Sequence, residues 1–137
     1  MGGGGDGGIA VDPLGNLFIG ADTRIRRVDS AGIITTVAGI GSVDGDTGAS
    51  FVNATALESG LNNIKQIAAG PDGSIFFING HSNVHQITPD GKINTIGETG
   101  NNTPKSLDVD KDGNVYVSAG SSIYKFARAA PFSGTPQ

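Results

Sequence analysis

One outline recurs three times in a chain of 137 residues, and that recurrence constrains the fold more than any single residue does. Tight-turn tetrads stand at Asp12-Pro13-Leu14-Gly15, Gly70-Pro71-Asp72-Gly73 and Asp110-Lys111-Asp112-Gly113. A short apolar run precedes each: Ile9-Ala10-Val11, Ile67-Ala68-Ala69 and Leu107-Asp108-Val109. A second run follows each: Leu17-Phe18-Ile19, Ile75-Phe76-Phe77-Ile78 and Val115-Tyr116-Val117. Third strands are expected at Arg24–Val28, Asn83–Ile87 and Ser122–Phe126. A fourth is visible only twice, at Ile33–Val37 and Ile93–Ile96, each introduced by a further turn, Asp29-Ser30-Ala31-Gly32 or Pro89-Asp90-Gly91.

The turn residues supply the backbone angles that tight connections need, and the β-branched and aromatic residues between them suit a pleated surface. Strands of about five residues at this spacing form an antiparallel meander. Gly73 and Gly113 lie 40 positions apart, which is the length of one four-stranded propeller blade. The predicted fold is therefore all-β: a β-propeller segment of about three four-stranded antiparallel blades, an incomplete ring.

The expected organisation is a Gly-rich leader over residues 1–7, blade 1 over 8–39, an inter-blade insert over 40–61 and blade 2 over 62–98. Blade 3 follows over 104–127 without its outer strand, then an extended tail over 128–137. The insert reads as loop in its Gly- and Asp-rich first half, with one helical turn ending at Gly60. Three blades cannot close a ring, since propellers have about four to eight. The chain is thus expected to be a sector of a larger propeller, or to close a six-bladed ring as a homodimer.

With 23 glycines and 36% apolar residues the composition suits short strands and many turns. The net charge of −4, with nothing basic concentrated enough for a nucleic-acid footprint, argues against nucleic acid. The absence of Cys excludes disulfides and thiolate chemistry. No apolar run approaches the roughly 18 residues that cross a bilayer, and no signal peptide is visible, so no membrane partner is expected.

The outline resembles the NHL repeat, in the version found in bacterial repeat proteins and teneurin-like propellers. Gly8-Ile9-Ala10-Val11-Asp12, Gly15-Asn16-Leu17-Phe18-Ile19, Arg24-Ile25-Arg26-Arg27-Val28 and Gly32 to Gly39 carry the likeness, which extends over residues 8 to 127. Gly45-Asp46-Thr47-Gly48-Ala49 looks like a decayed inter-blade insert of that family. The resemblance implies blades around a channel, an extracytoplasmic (periplasmic or secreted) bacterial protein, and a protein or glycan partner, or other blades of the same propeller. Some structural relatives are lactonases or lyases, so fold leaves the activity open.

Few residues point to chemistry. Asp108, Asp110 and Asp112 match the start of a calcium loop, but an EF-hand needs Glu where Ala119 stands. The expectation is a hairpin turn with no cofactor, Ca²⁺ being the alternative. Asp108 aligns with Ala10 and Ala68 and is expected to face the channel as a solvated carboxylate, with a metal-binding enzyme as the rival reading. His81 and His85 would stand about 13 Å apart along a strand, too far for one ion. Arg24, Arg26 and Arg27 form the one basic cluster, whose stems can cover apolar surface or meet an acidic partner. These arginines, the two histidines and Asp108 are the candidate binding residues. The loops expected to carry function are Ser42–Leu57 and Asn79–Asn83. Asn53-Ala54-Thr55 and Asn101-Asn102-Thr103 are glycosylation tripeptides, meaningful only in a eukaryotic secretory context.

Overall fold

The computed structural model describes residues 8–21, 23–41, 51–61, 64–79, 82–100 and 102–127. They form three antiparallel sheets, each a meander. Blade 1 holds β1 (Gly8–Val11), β2 (Leu17–Ala21), β3 (Arg24–Val28) and β4 (Ile34–Ala38). Blade 2 holds β6 (Gln66–Ala69), β7 (Ile75–Ile78), β8 (Asn83–Ile87) and β9 (Lys92–Glu98), with β5 (Ala54–Thr55) added outside β9. Blade 3 holds β10 (Pro104–Val109), β11 (Val115–Ala119) and β12 (Ser122–Phe126), three strands among the described residues. The fold is thus a sector of a β-propeller.

The insert keeps the expected helical turn and adds a strand that was not expected. Ala54 and Thr55 pair with Ile93 and Lys92, making blade 2 five-stranded. A single turn of 3₁₀ helix, Ala56–Glu58, follows. The reason is burial. Ala56, Leu61 and Ile64 are buried among residues of blades 1 and 2, and the backbone follows them by satisfying exposed ladder groups. The Gly39 N–H donates to the Ala56 carbonyl at 3.0 Å, and the Ala56 N–H to the Gly91 carbonyl at 2.9 Å.

Register gives each blade two faces, because successive side chains point to opposite sides of a sheet. In blade 2, the rows Ile67–Phe77–His85–Thr95 and Ala69–Ile75–Ile87–Ile93 share one face, here called the front. Ala68–Phe76–Gln86–Asn94 lies on the back. The front of blade 2 packs on the back of blade 1, joining Ile67, Phe77 and Ile93 to Phe18, Ile25 and Ala38. The front of blade 3, with Val115 and Val117, packs on Phe76, Ile78 and Val84 from the back of blade 2. Small residues permit close approach: a Cβ on Gly97 would lie 2.2 Å from the Phe126 ring. Blade 2, covered on both sides, buries all four residues of β7, whereas burial in β2 alternates. No helix among the described residues is long and apolar enough to cross a membrane.

Candidate functional site

The innermost strands β1, β6 and β10 lie side by side, with β6 touching both others. Their turns into β2, β7 and β11 therefore meet at one end of the sector. They line an open cavity of about 280 Å³ with Val11, Asp12 and Pro13 from blade 1, Ala69, Gly70 and Pro71 from blade 2, and Val109, Asp110 and Lys111 from blade 3. Among the described residues, this mouth brings equivalent positions of all three repeats together.

Its carboxylates are engaged in holding the turns. Asp12 is buried and accepts hydrogen bonds from the Leu14 N–H at 3.0 Å, the Asn16 N–H at 2.8 Å and Asn16 Nδ2 at 3.0 Å. Asp110 repeats the device with the Asp112 N–H, the Asn114 N–H and Asn114 Nδ2, and adds the Tyr116 hydroxyl at 3.2 Å. In blade 2 the first turn position is Gly70, and Asp72 instead binds the N–H and hydroxyl of Ser74. Gly15, Gly73 and Gly113 close the three turns at φ of 88°, 91° and 91°, angles that favour glycine.

Burial is the largest influence on the Asp12 carboxyl and pushes its pKa up. The hydrogen bonds from Asn16 and Leu14 and the charge of Arg27 together outweigh it, leaving the pKa below the ordinary 3.8. For Asp110 the Asn114 N–H is the largest influence, and with the remaining donors it overcomes burial, so this carboxyl also lies below 3.8. Both are stable carboxylates near neutral pH, which suits anchors of turns and not proton carriers.

The calcium-loop candidates do not converge. Asp110 holds its own turn. Asp112 points out, 3.6 Å from Lys111 Nζ, with side chains 69% and 89% exposed. Asp108 is exposed, accepts the Val109 N–H, and stands opposite Tyr116 on the back of blade 3. Among the described residues, no group of three or more His, Asp or Glu is placed to hold a metal ion. The residues present do not fit a Ca²⁺ site.

The other candidates scatter. His85 is 1% exposed. It lies between the Phe51 and Phe77 rings, at centroid distances of 5.2 and 5.0 Å. Asn79 Oδ1 accepts the Asn83 N–H, so Asn79 Nδ2 faces His85 Nε2 at 3.2 Å and donates to it. In the neutral ring Nδ1 then carries the proton and donates to Thr95 Oγ1, 2.8 Å away. Thr95 Oγ1 also accepts the Phe51 N–H at 2.8 Å. His85 is thus a bracket within blade 2 and does not reach a ligand surface. His85 and its polar partners Asn79 and Thr95 were not legible as a set, since they come from three segments. His81 lies outside the described residues, as do residues 42–50 of the Ser42–Leu57 loop and residues 80 and 81 of the Asn79–Asn83 turn.

The arginine cluster is split by strand alternation. Arg27 stands opposite Phe18 on the back of blade 1, while Arg26 stands opposite Ile19 and Arg24 opposite Ala21 on the front. The Nε atoms of Arg26 and Arg27 are shielded from solvent without an acceptor among the described residues, consistent with stems laid along a sheet. Arg24 is exposed, with its guanidinium against Gly41.

The chain matches no protein-family model and no curated protein. Among solved structures it is similar to virginiamycin B lyase from Staphylococcus aureus, at 15% identity and a TM-score of 0.60, over 92% of this chain and 42% of that one. It is similar to an auxiliary nutrient binding protein from Bacteroides thetaiotaomicron, also at 15% identity and a TM-score of 0.60, over 86% of this chain and 37% of that one. A catalytically inactive virginiamycin B lyase with quinupristin gives a TM-score of 0.56 at 20% identity, over 92% of this chain and 42% of that one. The chain therefore spans less than half the length of these neighbours. At such identities the likeness is one of fold, and it agrees with the sheet order: the chain has the architecture of a β-propeller sector.

Proposed function

We propose that this chain is a non-catalytic, NHL-like propeller sector that serves as an interaction scaffold in a larger, exported bacterial protein. The mouth formed by the three inner turns presents its surface to a protein or glycan. The observation that carries this reading is the state of the mouth carboxylates. Asp12 and Asp110 are saturated by donors of their own turns. The other residues lining the cavity are Val11, Pro13, Ala69, Gly70, Pro71, Val109 and Lys111, a surface suited to contact and poor in groups for acid–base or metal chemistry. The NHL assignment and the exported location rest on the repeat sequence. Neighbours of similar fold include both a lyase and a nutrient binding protein, so the fold does not choose between the two roles.

The test pairs a glycan array with turnover assays on a δ-lactone and on quinupristin, run with and without added Ca²⁺, Mg²⁺ and Zn²⁺. The scaffold reading expects no turnover above background, and glycan binding that Lys111→Glu weakens without changing the thermal melt. Metal-dependent turnover, abolished by Asp110→Asn in a folded protein, would replace it with an enzymatic reading.

A further inference from the structure

The register of the inner strands turns backbone groups into the mouth. In an antiparallel pair, hydrogen-bonded and non-bonded residue pairs alternate. The Asp12, Gly70 and Asp110 N–H groups bond across their turns to the Asn16, Ser74 and Asn114 carbonyls. One residue earlier, Val11 stands opposite Leu17, Ala69 opposite Ile75 and Val109 opposite Val115. By alternation these are non-bonded pairs. Val11, Ala69 and Val109 therefore direct N–H and C=O away from β2, β7 and β11, to the inner edge of the sector, where all three line the mouth. The Val11 and Ala69 N–H groups have no acceptor among the described residues.

Blade 3 differs by one carboxylate. Asp108 stands at the position of Ala10 and Ala68, and its Oδ1 accepts the Val109 N–H at 2.9 Å. Because that N–H points to the inner edge, the bond draws the carboxylate from the back of blade 3 to the rim of the mouth. The other oxygen meets no donor among the described residues. Ala10 and Ala68 stay half-buried although a neighbouring blade packs on the back of each of their sheets. The position is thus open at the inner edge even between packed blades.

We infer that the mouth binds the ring of a neutral sugar, with Asp108 as its side-chain contact. The inference rests on the scaffold reading and narrows the partner to a glycan. At the rim, donors stand beside acceptors: an N–H and a C=O on Val11 and on Ala69, the Val109 C=O, and the Asp108 carboxylate. A hydroxyl donates and accepts at once, so neighbouring hydroxyls of a sugar ring satisfy such a rim. A bare cation would leave the N–H groups unmet, and an anion would face carbonyl and carboxylate oxygens. Val11, Pro13 and Pro71 add apolar surface for the C–H face of the ring. The cavity, about 280 Å³, lies just under the roughly 300–1,000 Å³ of small-ligand pockets, which suits the end of a glycan and not a folded protein surface.

The test is amide NMR on the isotope-labelled chain titrated with glucose, N-acetylglucosamine, maltotriose and cellotriose. Each is taken to about 10 mM, above the millimolar Kd of a weak site. At least one sugar should shift the Val11 and Ala69 amide signals. Asp108→Ala should weaken that binding by about tenfold or more and leave the melt unchanged, since alanine already serves at positions 10 and 68. No shift at those amides with any of these sugars overturns the inference. Sugar binding that Lys111→Glu abolishes but Asp108→Ala leaves unchanged also overturns it, while the scaffold reading stands. Metal-dependent turnover of the δ-lactone or quinupristin overturns the scaffold reading, and the sugar site with it.

Discussion

The fronts of blades 1 and 2 are the same surface in two circumstances. Val11, Leu17, Val28 and Ile34 stand in one row of blade 1, and Ala69, Ile75, Ile87 and Ile93 in the same row of blade 2. One row is buried under a neighbour and the other meets solvent. Side-chain chemistry at these positions is set by the repeat, whereas burial is set by which blade lies alongside. Equivalent substitutions in the two blades should therefore have unequal costs, and the inequality measures how much of each contact is tertiary.

The largest effect belongs to the most enclosed side chains. Phe77→Ala, at a residue 0% exposed, should lower stability by about 3–5 kcal/mol, and Ile93→Ala by about 2–5 kcal/mol. Ile34→Ala, at the place equivalent to Ile93, should cost within about 0.5 kcal/mol in the monomer. Urea unfolding of the three variants checks this, and equal losses at Ile34 and Ile93 would break the comparison.

Next comes the bracket around His85. Thr95→Val removes the acceptor for the Phe51 N–H and for His85 Nδ1, and should cost about 1–3 kcal/mol. Thr36 holds the equivalent place in blade 1, opposite Arg26. Thr36→Val should change stability little, and thermal melts of both variants compare the two blades directly.

A smaller effect separates the turns by pH. Asp12 and Asp110 both have carboxyls below the ordinary value. A lowered folded pKa gives stability that is present above the unfolded value of 3.8 and is lost as pH falls through the folded pKa. Stability should therefore decline below pH 3.8, and the double variant Asp12→Asn, Asp110→Asn should flatten that acid limb. Denaturant midpoints of the wild-type chain and the double variant between pH 2 and 6, about the range in which carboxylates titrate, test this. The smallest effect is Lys111→Ala: its pair with Asp112 is exposed on both sides, so the melt should move by less than about 1 kcal/mol equivalent.

Much of the fold was legible because turn chemistry and strand chemistry are local. Asp12, Asp110 and the glycines that follow them fix hairpins wherever they occur. β3, β7, β8 and β12 fall on the residues expected from the sequence. The fifth strand was not legible. Ala54 and Thr55 are too short a run to read as a strand, and they pair because β9 offers an open edge while Ala56 and Leu61 are drawn into the core. The site was less legible than the fold. The calcium-like run at Asp108–Asp112 is a turn, because Asp110 finds enough donors within four residues. The arginine cluster is a cluster in sequence only, since alternation sends Arg26 and Arg27 to opposite faces.

The sequence by itself determined the repeat: three meanders and their turn positions. These follow from backbone angles and from a side-chain period of two residues, both of which act over a few positions. Only the tertiary structure decided which apolar faces meet, why His85 is enclosed while Arg26 at the same place is not, and that the three inner turns share one mouth. Those outcomes depend on contacts between residues tens of positions apart, and no local preference encodes which neighbour a sheet will find.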